Sequence, residues 1–495
     1  MEFKGDENFY FESSRYMLKT KDILTPRYMD EERFQKPILF YWFILLSFKI
    51  LGVSWFAARL PSIFLGALLA LLIFKIAELL QKDKRAALFA SLFAATTPLY
   101  YRYARLAVPD MALIFFETLG LYFFIRYYKF KSGSDMRLFF VSLAVAFLIK
   151  GPVGAIIPFL VVLIFCLLKK ERSFRSNDVL TGILLFALIT VPWFYAMCKI
   201  YPGKYAGQVL SREVLERLGW GEAGSFIMVY LKGFVFYIVA LATKFFPYSL
   251  FMPFAFLGSY FRARNMSAAG RADSGKSDGS LFLIIWIAAV FLFFTFVAER
   301  RTHYLLALAP AASISVGAFF AERGKNRKWP PYGIVLFLSL LYITINVFPA
   351  AGLFTNRMER AASSVKANMK EGDRIGIGSH GIIPEELQVF FQTPVEMVKV
   401  TYTADGRPFM DTAPRLMEFL SSKERVFCVI KKKDYDIFVP EEMRNNLYVI
   451  DNYFVWKRRI RLDKELKDSL RVKGAGLFRE VFQNEIYVVS NRSGR

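Results

Sequence analysis

Apolar residues along this chain gather into runs of membrane-crossing length, with polar residues between them, from about residue 60 to residue 350. An α-helix needs roughly 20 apolar residues to cross about 30 Å of hydrocarbon, and in lipid the helix is also how the backbone satisfies its own hydrogen bonds. The pattern predicts spans near 61–81, 86–103, 110–128, 137–149, 152–168, 179–198, 245–262, 280–298, 303–321 and 331–350. Two further apolar stretches, Pro37 to Val53 and Phe226 to Ala242, carry Trp42, Lys49 and Lys232 among many aromatics. Those flanks predict juxtamembrane helices lying in the interface.

From about 351 the runs shorten to strand length, as in Arg374 to Gly378, Val395 to Val400, Val426 to Ile430 and Glu485 to Val489. Helical patterns over Arg357 to Met369 and Pro414 to Leu420 alternate with them. The expected fold class is therefore an α-helical polytopic membrane protein over 1–350, followed by a small soluble α/β domain over 351–495. The Ser-, Gly-, Ala- and Arg-rich stretch Arg262 to Gly279 reads as a flexible loop.

Charge sets the orientation. The connections after alternate spans, Lys82 to Arg85, Arg126 to Arg137, Lys169 to Arg175, Arg262 to Lys276 and Arg323 to Lys328, are rich in Lys and Arg and belong in the cytoplasm. Parity then puts residues 1–60, the loops near 104–109, 150 and 199–244, the Glu299-Arg300-Arg301 turn and the C-terminal domain on the extracytoplasmic side. Composition agrees: 55% hydrophobic residues exceed the share usual for a soluble domain. The net charge of +23 resides in short clusters beside apolar runs, which argues against a nucleic-acid partner. Cys166, Cys198 and Cys428 have neither metal-ligand nor redox spacing. Met1 is followed by a polar stretch with no signal-peptide pattern.

Ionisable groups at the mouths of spans are costly, so each is a functional candidate beside a simpler reading. Asp6-Glu7 precedes an aromatic-rich amphipathic stretch, Asn8 to Leu18, and an acidic pair in a polar tail is often merely solvated. Lys36, in Gln35-Lys36-Pro37, can anchor an interfacial helix or bind an anion such as a lipid phosphate. Asp110, closing Arg105 to Asp110, can cap the helix it opens. Lys150-Gly151-Pro152 interrupts a long apolar run, and a chain reversal does not require the lysine. Glu299 to Tyr304 crowds Arg300, Arg301 and His303 into one turn against the charge trend, and Arg217 adds a cation beside Glu213 and Glu216. Carboxylates and cations on one membrane face suit displacement of a phosphate-linked group: cations stabilise the leaving phosphate and a carboxylate takes the proton of the attacking hydroxyl.

The ordered set Asp6-Glu7, Gln35-Lys36-Pro37 with Tyr41-Trp42, Ala57 to Ser62, Arg105 to Asp110 and Lys150 to Gly154 resembles the protein O-mannosyltransferase and aminoarabinose transferase superfamily. Pro192-Trp193, Phe246 to Ser249 and His303-Tyr304 followed by Pro310 extend the likeness, which covers about 1–350. The resemblance implies the C-type glycosyltransferase fold and inverting, single-displacement transfer of a sugar from a polyprenyl-phosphate donor such as undecaprenyl phosphate. The acceptor would be lipid A, another glycolipid or a protein, at the extracytoplasmic face of a bacterial inner membrane. It implies Asp6 as catalytic base with Glu7 beside it, Asp110 as a second acidic residue, and Lys36 and Arg217 on the carrier phosphate. Lys150 and Arg301 would support the phosphate or sugar. Some relatives hold a divalent ion with a Glu before the lysine and a later His; here neutral Gln35 stands at the first position, so no metal or other cofactor is expected. Relatives also carry a transmembrane helix before the acidic loop; either such a helix is missing upstream of Met1, the favoured expectation, or a short, nearly charge-balanced tail is translocated without one. A lipid-linked-sugar transporter or flippase would instead place its charges near the bilayer midplane on repeated, broken helices. A non-catalytic membrane scaffold would leave Asp6, Lys36, Asp110 and Lys150 apart.

Overall fold

The computed structural model describes residues 5–28, 31–171, 175–208, 226–268, 274–297, 299–323, 329–350, 358–370, 372–379, 395–402, 408–456 and 483–493. The chain divides into two compact units, Phe9–Leu340 and a second comprising Met1–Asn8 and Leu341–Arg495.

The larger unit is helical. It opens within α1 (Gly5–Thr20), whose inner stripe of Tyr10, Phe11, Ser14 and Met17 follows helical spacing. That stripe packs on α2 (Leu39–Leu51), with Tyr10 against Phe40 at 5.4 Å and Phe11 against Phe48 at 5.3 Å between ring centroids. A two-residue hairpin, β1 (Arg27–Tyr28) with β2 (Glu31–Glu32), lies between them. There follow α3 (Trp55–Gln81), α4 (Lys84–Thr96), α5 (Pro98–Tyr103), α6 (Asp110–Phe130), α7 (Gly133–Lys150), α8 (Val153–Lys169), α9 (Ser176–Ile200), α10 (Lys204–Gln208), α11 (Phe226–Lys244), α12 (Met252–Ala268), α13 (Ser274–Thr295), α14 (Ala309–Arg323) and α15 (Trp329–Ala350). Among the described residues, five helical stretches are long and apolar enough to cross a membrane: Trp55–Gln81, Asp110–Phe130, Ser176–Ile200, Ser277–Thr295 and Thr302–Arg323. Shorter apolar helices cover Leu39–Leu51, Val153–Lys169 and Tyr332–Thr344. The chain is a multi-pass membrane protein.

Helix occupies every region expected to span, with three corrections. The stretch 86–103 is two helices, broken at Thr97, whose backbone is extended; Pro98 supplies no N–H to continue the ladder and begins α5 instead. The span expected at 245–262 is α12, displaced to 252–268 behind a 3-10 turn at Tyr248–Leu250. The loop expected over 262–279 is largely helix: its Ala, Arg, Asn and Met residues extend α12, and α13 begins at Ser274.

Polar side chains hold the ends of this bundle. Lys131 binds Glu171 at 3.3 Å, Lys169 binds Asp278 at 2.6 Å and Arg126 binds Asp135 at 3.0 Å, so cations of two of the Lys- and Arg-rich connections, Arg126 to Arg137 and Lys169 to Arg175, are paired with acids. The Tyr248 and Thr96 hydroxyls share a 2.6 Å hydrogen bond, and the Trp286 indole donates to the Ala307 carbonyl at 3.0 Å. By contrast α9 shows lipid-type surface, with Leu180, Leu184, Leu188 and Val191 exposed along it.

The second unit is a mixed six-stranded sheet of order β5-β4-β3-β6-β8-β7, built from β3 (Arg374–Ser379), β4 (Val395–Tyr402), β5 (Pro408–Phe409), β6 (Val426–Lys431), β7 (Tyr448–Trp456) and β8 (Gln483–Ser490). Strand β3 runs parallel to β4 and β6, and β8 is antiparallel to β6 and β7. Side chains alternate along β6: Phe427 and Val429 join a core with Ala361, Ala362 and Val365 of α16 (Met358–Asn368). Val426, Cys428 and Ile430 face the opposite core, with Leu416 and Phe419 of α17 (Ala413–Leu420) and Tyr435 and Phe438 of α18 (Lys432–Phe438). Burial pushes the Cys428 thiol up to about 12. Every strand and helix expected in this domain is present, and β5, β7, α18 and a short helix Glu441–Arg444 are additional.

Candidate active site

Helices α6 and α7 are joined by only two residues, with Lys131 in the left-handed conformation that closes α6, so they run antiparallel. Their lengths, 21 and 18 residues, are nearly matched, and the first residue of α6 therefore returns beside the last of α7. Those residues are Asp110 and Lys150, and the Lys150 Nζ donates to Asp110 Oδ1 at 2.6 Å with both side chains about nine-tenths buried. Asp110 does not cap its helix: Pro109 is the residue before it and no side-chain cap bond forms. Its carboxylate is spent on the lysine.

Gly151 makes the turn that follows. Its φ of +79° and ψ of −153° belong to a region open essentially to glycine alone, and Pro152 then starts α8 back into the bundle. Three residues on, a Cβ on Gly154 would lie 2.5 Å from the Ala146 carbonyl, so a side chain there would force α8 away from α7. The Lys-Gly-Pro sequence thus reverses the chain and leaves the ammonium at the turn.

The short 3-10 segment Thr302–Leu308 ahead of α14 brings a third group. His303 Nε2 lies 3.6 Å from Asp110 Oδ1, and its ring packs beside Tyr103 and Tyr304 at 5.5 and 4.8 Å between centroids. Tyr304 stacks on Phe294 at 4.7 Å and presents its ring 5.6 Å from the Lys150 ammonium, a cation–π distance.

These groups rim a cavity of about 350 Å³. Gln35 and Pro37 also line it, which places Lys36 between two lining residues, with its Nζ donating to the Gln35 carbonyl at 2.9 Å. Phe34 lines the cavity and packs on Tyr201 and Tyr205 at 5.0 and 5.3 Å. The remaining wall is mostly apolar, from Leu113, Ile114, Phe147, Ile156, Ile157 and Phe293. Glu117, two turns into α6 from Asp110, is the exception: it lines the cavity while only 3% exposed, and its Oε1 has no hydrogen-bond partner among the described residues. A second, wholly apolar groove of about 260 Å³, between α7, α8 and α9, is lined by Phe140, Leu143, Ala155, Ile156, Phe159, Ile183 and Phe186. Ile156 belongs to both.

Of the residues singled out from sequence, Asp110 and Lys150 are therefore joined, with His303 beside them and Lys36 at the rim. Arg301 is half exposed and pairs with Glu299. Asp6 is exposed and Glu7 buried in the first turn of α1. Arg217 lies outside the described residues. Glu117 was missed, although a lone acid inside an apolar run is itself a signal. Among the described residues no group of three or more His, Cys, Asp or Glu side chains is placed to hold a metal ion.

The family model for dolichyl-phosphate-mannose-protein mannosyltransferases matches residues 1–203. An uncharacterized protein of Aquifex aeolicus is 30% identical over 322 residues, 64% of this chain and 68% of that one. The undecaprenyl phosphate-alpha-4-amino-4-deoxy-L-arabinose arabinosyl transferase 2 of Proteus mirabilis is 26% identical over 308 residues, 61% of this chain and 53% of the transferase. The chain thus spans between about half and two thirds of these relatives' lengths. The crystal structure of ArnT from Cupriavidus metallidurans bound to undecaprenyl phosphate has the same fold, with a TM-score of 0.64, 17% identity, and coverage of 99% of this chain and 94% of that one. The chain carries the C-type glycosyltransferase fold and belongs to the membrane glycosyltransferase superfamily that joins the protein mannosyltransferases with the aminoarabinose transferases.

Proposed function

We propose that the chain transfers a sugar, hexose or pentose, from a polyprenyl-phosphate carrier to a hydroxyl-bearing acceptor outside the cytoplasm, either a glycolipid such as lipid A or a protein. The observation that carries this reading is the buried Lys150–Asp110 pair at the rim of a largely apolar cavity within the membrane-spanning unit. An ammonium has three N–H donors, and Asp110 occupies one; the others are available to a phosphate. Asp110 holds the lysine in place, and Lys36 adds a second cation at headgroup depth. The apolar groove that shares Ile156 with the cavity suits the carrier's isoprenoid tail.

In the reaction the acceptor oxygen attacks the anomeric carbon from the face opposite the phosphate. The new C–O bond forms as the bond from the anomeric carbon to the phosphate oxygen breaks, with inversion, and the electron pair leaves on the carrier as a phosphate monoester. The acceptor proton passes to a carboxylate, and Asp6 is assigned that role on the sequence resemblance. Lys150 and Lys36 stabilise the charge that grows on the leaving phosphate. Arg217 and Arg301 would supply further cations, and Glu7 would support Asp6. The location that goes with this reading is a bacterial inner membrane, with the active site and the C-terminal domain extracytoplasmic, as the Lys- and Arg-rich connections predict.

The test is transfer itself. Membranes holding the chain would be given radiolabelled polyprenyl-phosphate sugars, and label would be followed from carrier into lipid and protein fractions. Wild type moves label and Asp6→Asn does not, although the variant still binds carrier. Equal transfer by the variant removes Asp6 as base, and absence of transfer by wild type from every donor tried removes the function.

A further inference from the structure

Among the described residues, two acids line the cavity, and only one of them is partnered. Asp110 is bound by Lys150 at 2.6 Å, whereas Glu117 leaves Oε1 buried without any hydrogen bond. Seven residues separate the two on one helix, which puts Glu117 about 10 Å deeper along the axis on the same face. There the neighbouring wall is Leu113, Ile114 and other apolar side chains. A carboxyl with an unmet acceptor oxygen in such surroundings costs free energy in the empty state, and an apolar residue of the same size would not. Lys150 does not meet the need: its hydrogen bond goes to Asp110, and among the described residues none reaches Glu117 Oε1.

A cavity with a cationic rim and a single polar acceptor on its inner wall is polarised like a glycosyl phosphate, with the phosphate at the rim and the sugar ring inside. Resting on the transferase reading above, we infer that Glu117 recognises the transferred sugar, accepting a hydrogen bond from a hydroxyl or an amino group on the ring edge remote from the phosphate. It is a specificity residue: Lys150 and Lys36 hold the part common to every donor, and Glu117 reads the part that differs. A site built to accept a hydrogen bond discriminates sharply against a ligand that cannot donate one, since the buried acceptor is then left unpaired.

The experiment measures binding to the full-length chain of three ligands: bare undecaprenyl phosphate, the same carrier bearing L-arabinose, and the carrier bearing 4-amino-4-deoxy-L-arabinose. Wild type binds at least one sugar-bearing carrier about tenfold more tightly than the bare one, the scale of one hydrogen bond. Glu117→Met, of similar size and without an acceptor oxygen, removes that preference, leaves the affinity for bare carrier within about twofold, and unfolds at the same or a higher temperature. Glu117→Gln separates the two chemistries. Retained preference means a hydroxyl donating to a neutral acceptor, and lost preference confined to the amino sugar means an ammonium pairing with a carboxylate.

Three results overturn the inference: a preference that survives Glu117→Met, a wild type that prefers neither sugar over bare carrier, or a Glu117→Met chain that loses bare carrier in equal proportion. A chain that shows the preference but transfers no label would fail the transferase reading and keep this one. A chain that transfers label while Glu117→Met keeps its preference would do the reverse.

Discussion

A buried lysine and aspartate 2.6 Å apart can be scaffolding or machinery, and the two roles respond differently to paired substitution. Lys150→Met strands an uncompensated carboxylate and should lower stability by about 3 kcal/mol while weakening binding of undecaprenyl phosphate at least about tenfold. Adding Asp110→Asn to it should restore most of the stability, as read by thermal unfolding in detergent, and none of the carrier binding. Recovery of both would make the pair structural. Asp110 and Lys150 were legible in the sequence because each stands where an apolar run begins or ends. Glu117 escaped because it lies inside a run whose other residues read plainly as lipid-facing or core. The pairing partner of Asp110 was not legible at all, since 40 residues separate it from Lys150 and helix capping explained the aspartate equally well from local sequence.

Elements explain how the site is placed. The antiparallel return of α7 beside α6 depends on the short connection after Lys131, and the next turn depends on Gly151. Gly151→Val should strain that turn by about 1–3 kcal/mol and move the lysine next to it, so that unfolding temperature and carrier affinity fall together. Gly154→Val should act through packing instead, because its side chain would meet the Ala146 carbonyl. In the other unit, Cys428 sits inside the sheet with its thiol pushed up to about 12. It should resist iodoacetamide at pH 8 in the folded chain and react once the sheet is opened by denaturant; rapid labelling of the native protein would contradict the β6 register. Apolar runs revealed most of these elements, and periodicity of two revealed the strands. The break at Thr97 was hidden because Thr and Pro there sit within an otherwise apolar stretch, and the extension of α12 and α13 was hidden by a composition that looks like a loop.

At the scale of the whole molecule, the two units answer to different variables. The sheet unit responds to pH through Asp451, which binds Arg360 at 2.8 Å and the Ser364 hydroxyl at 2.6 Å, tying β7 to α16. Burial alone would raise its pKa, but the hydrogen bonds from Arg360 and Ser364 prevail and hold it below the usual carboxylate value. A carboxyl held low in the folded state stabilises fully above its unfolded pKa, and the contribution fades as pH falls through the folded one. Protection of the β7 amides, taken relative to exchange of an unfolded chain at the same pH, should therefore fall below about pH 4, and Asp451→Asn should be less protected at neutral pH and less sensitive to acid. This tie was not visible in sequence, where 91 residues separate the partners and β7 itself was not expected.

The membrane unit answers to its lipid surroundings. The groove between α7, α8 and α9 shares a wall residue with the cavity and is bounded by the helix with the most lipid-like surface. A substrate that arrives through such an opening is delivered by lateral diffusion in the bilayer, so the concentration that governs turnover is a mole fraction in the plane and not an amount per volume of solution. Adding inert phospholipid at constant donor and constant enzyme should slow transfer in proportion to the dilution of the donor among lipids, while diluting the whole suspension with buffer should leave the rate per enzyme unchanged.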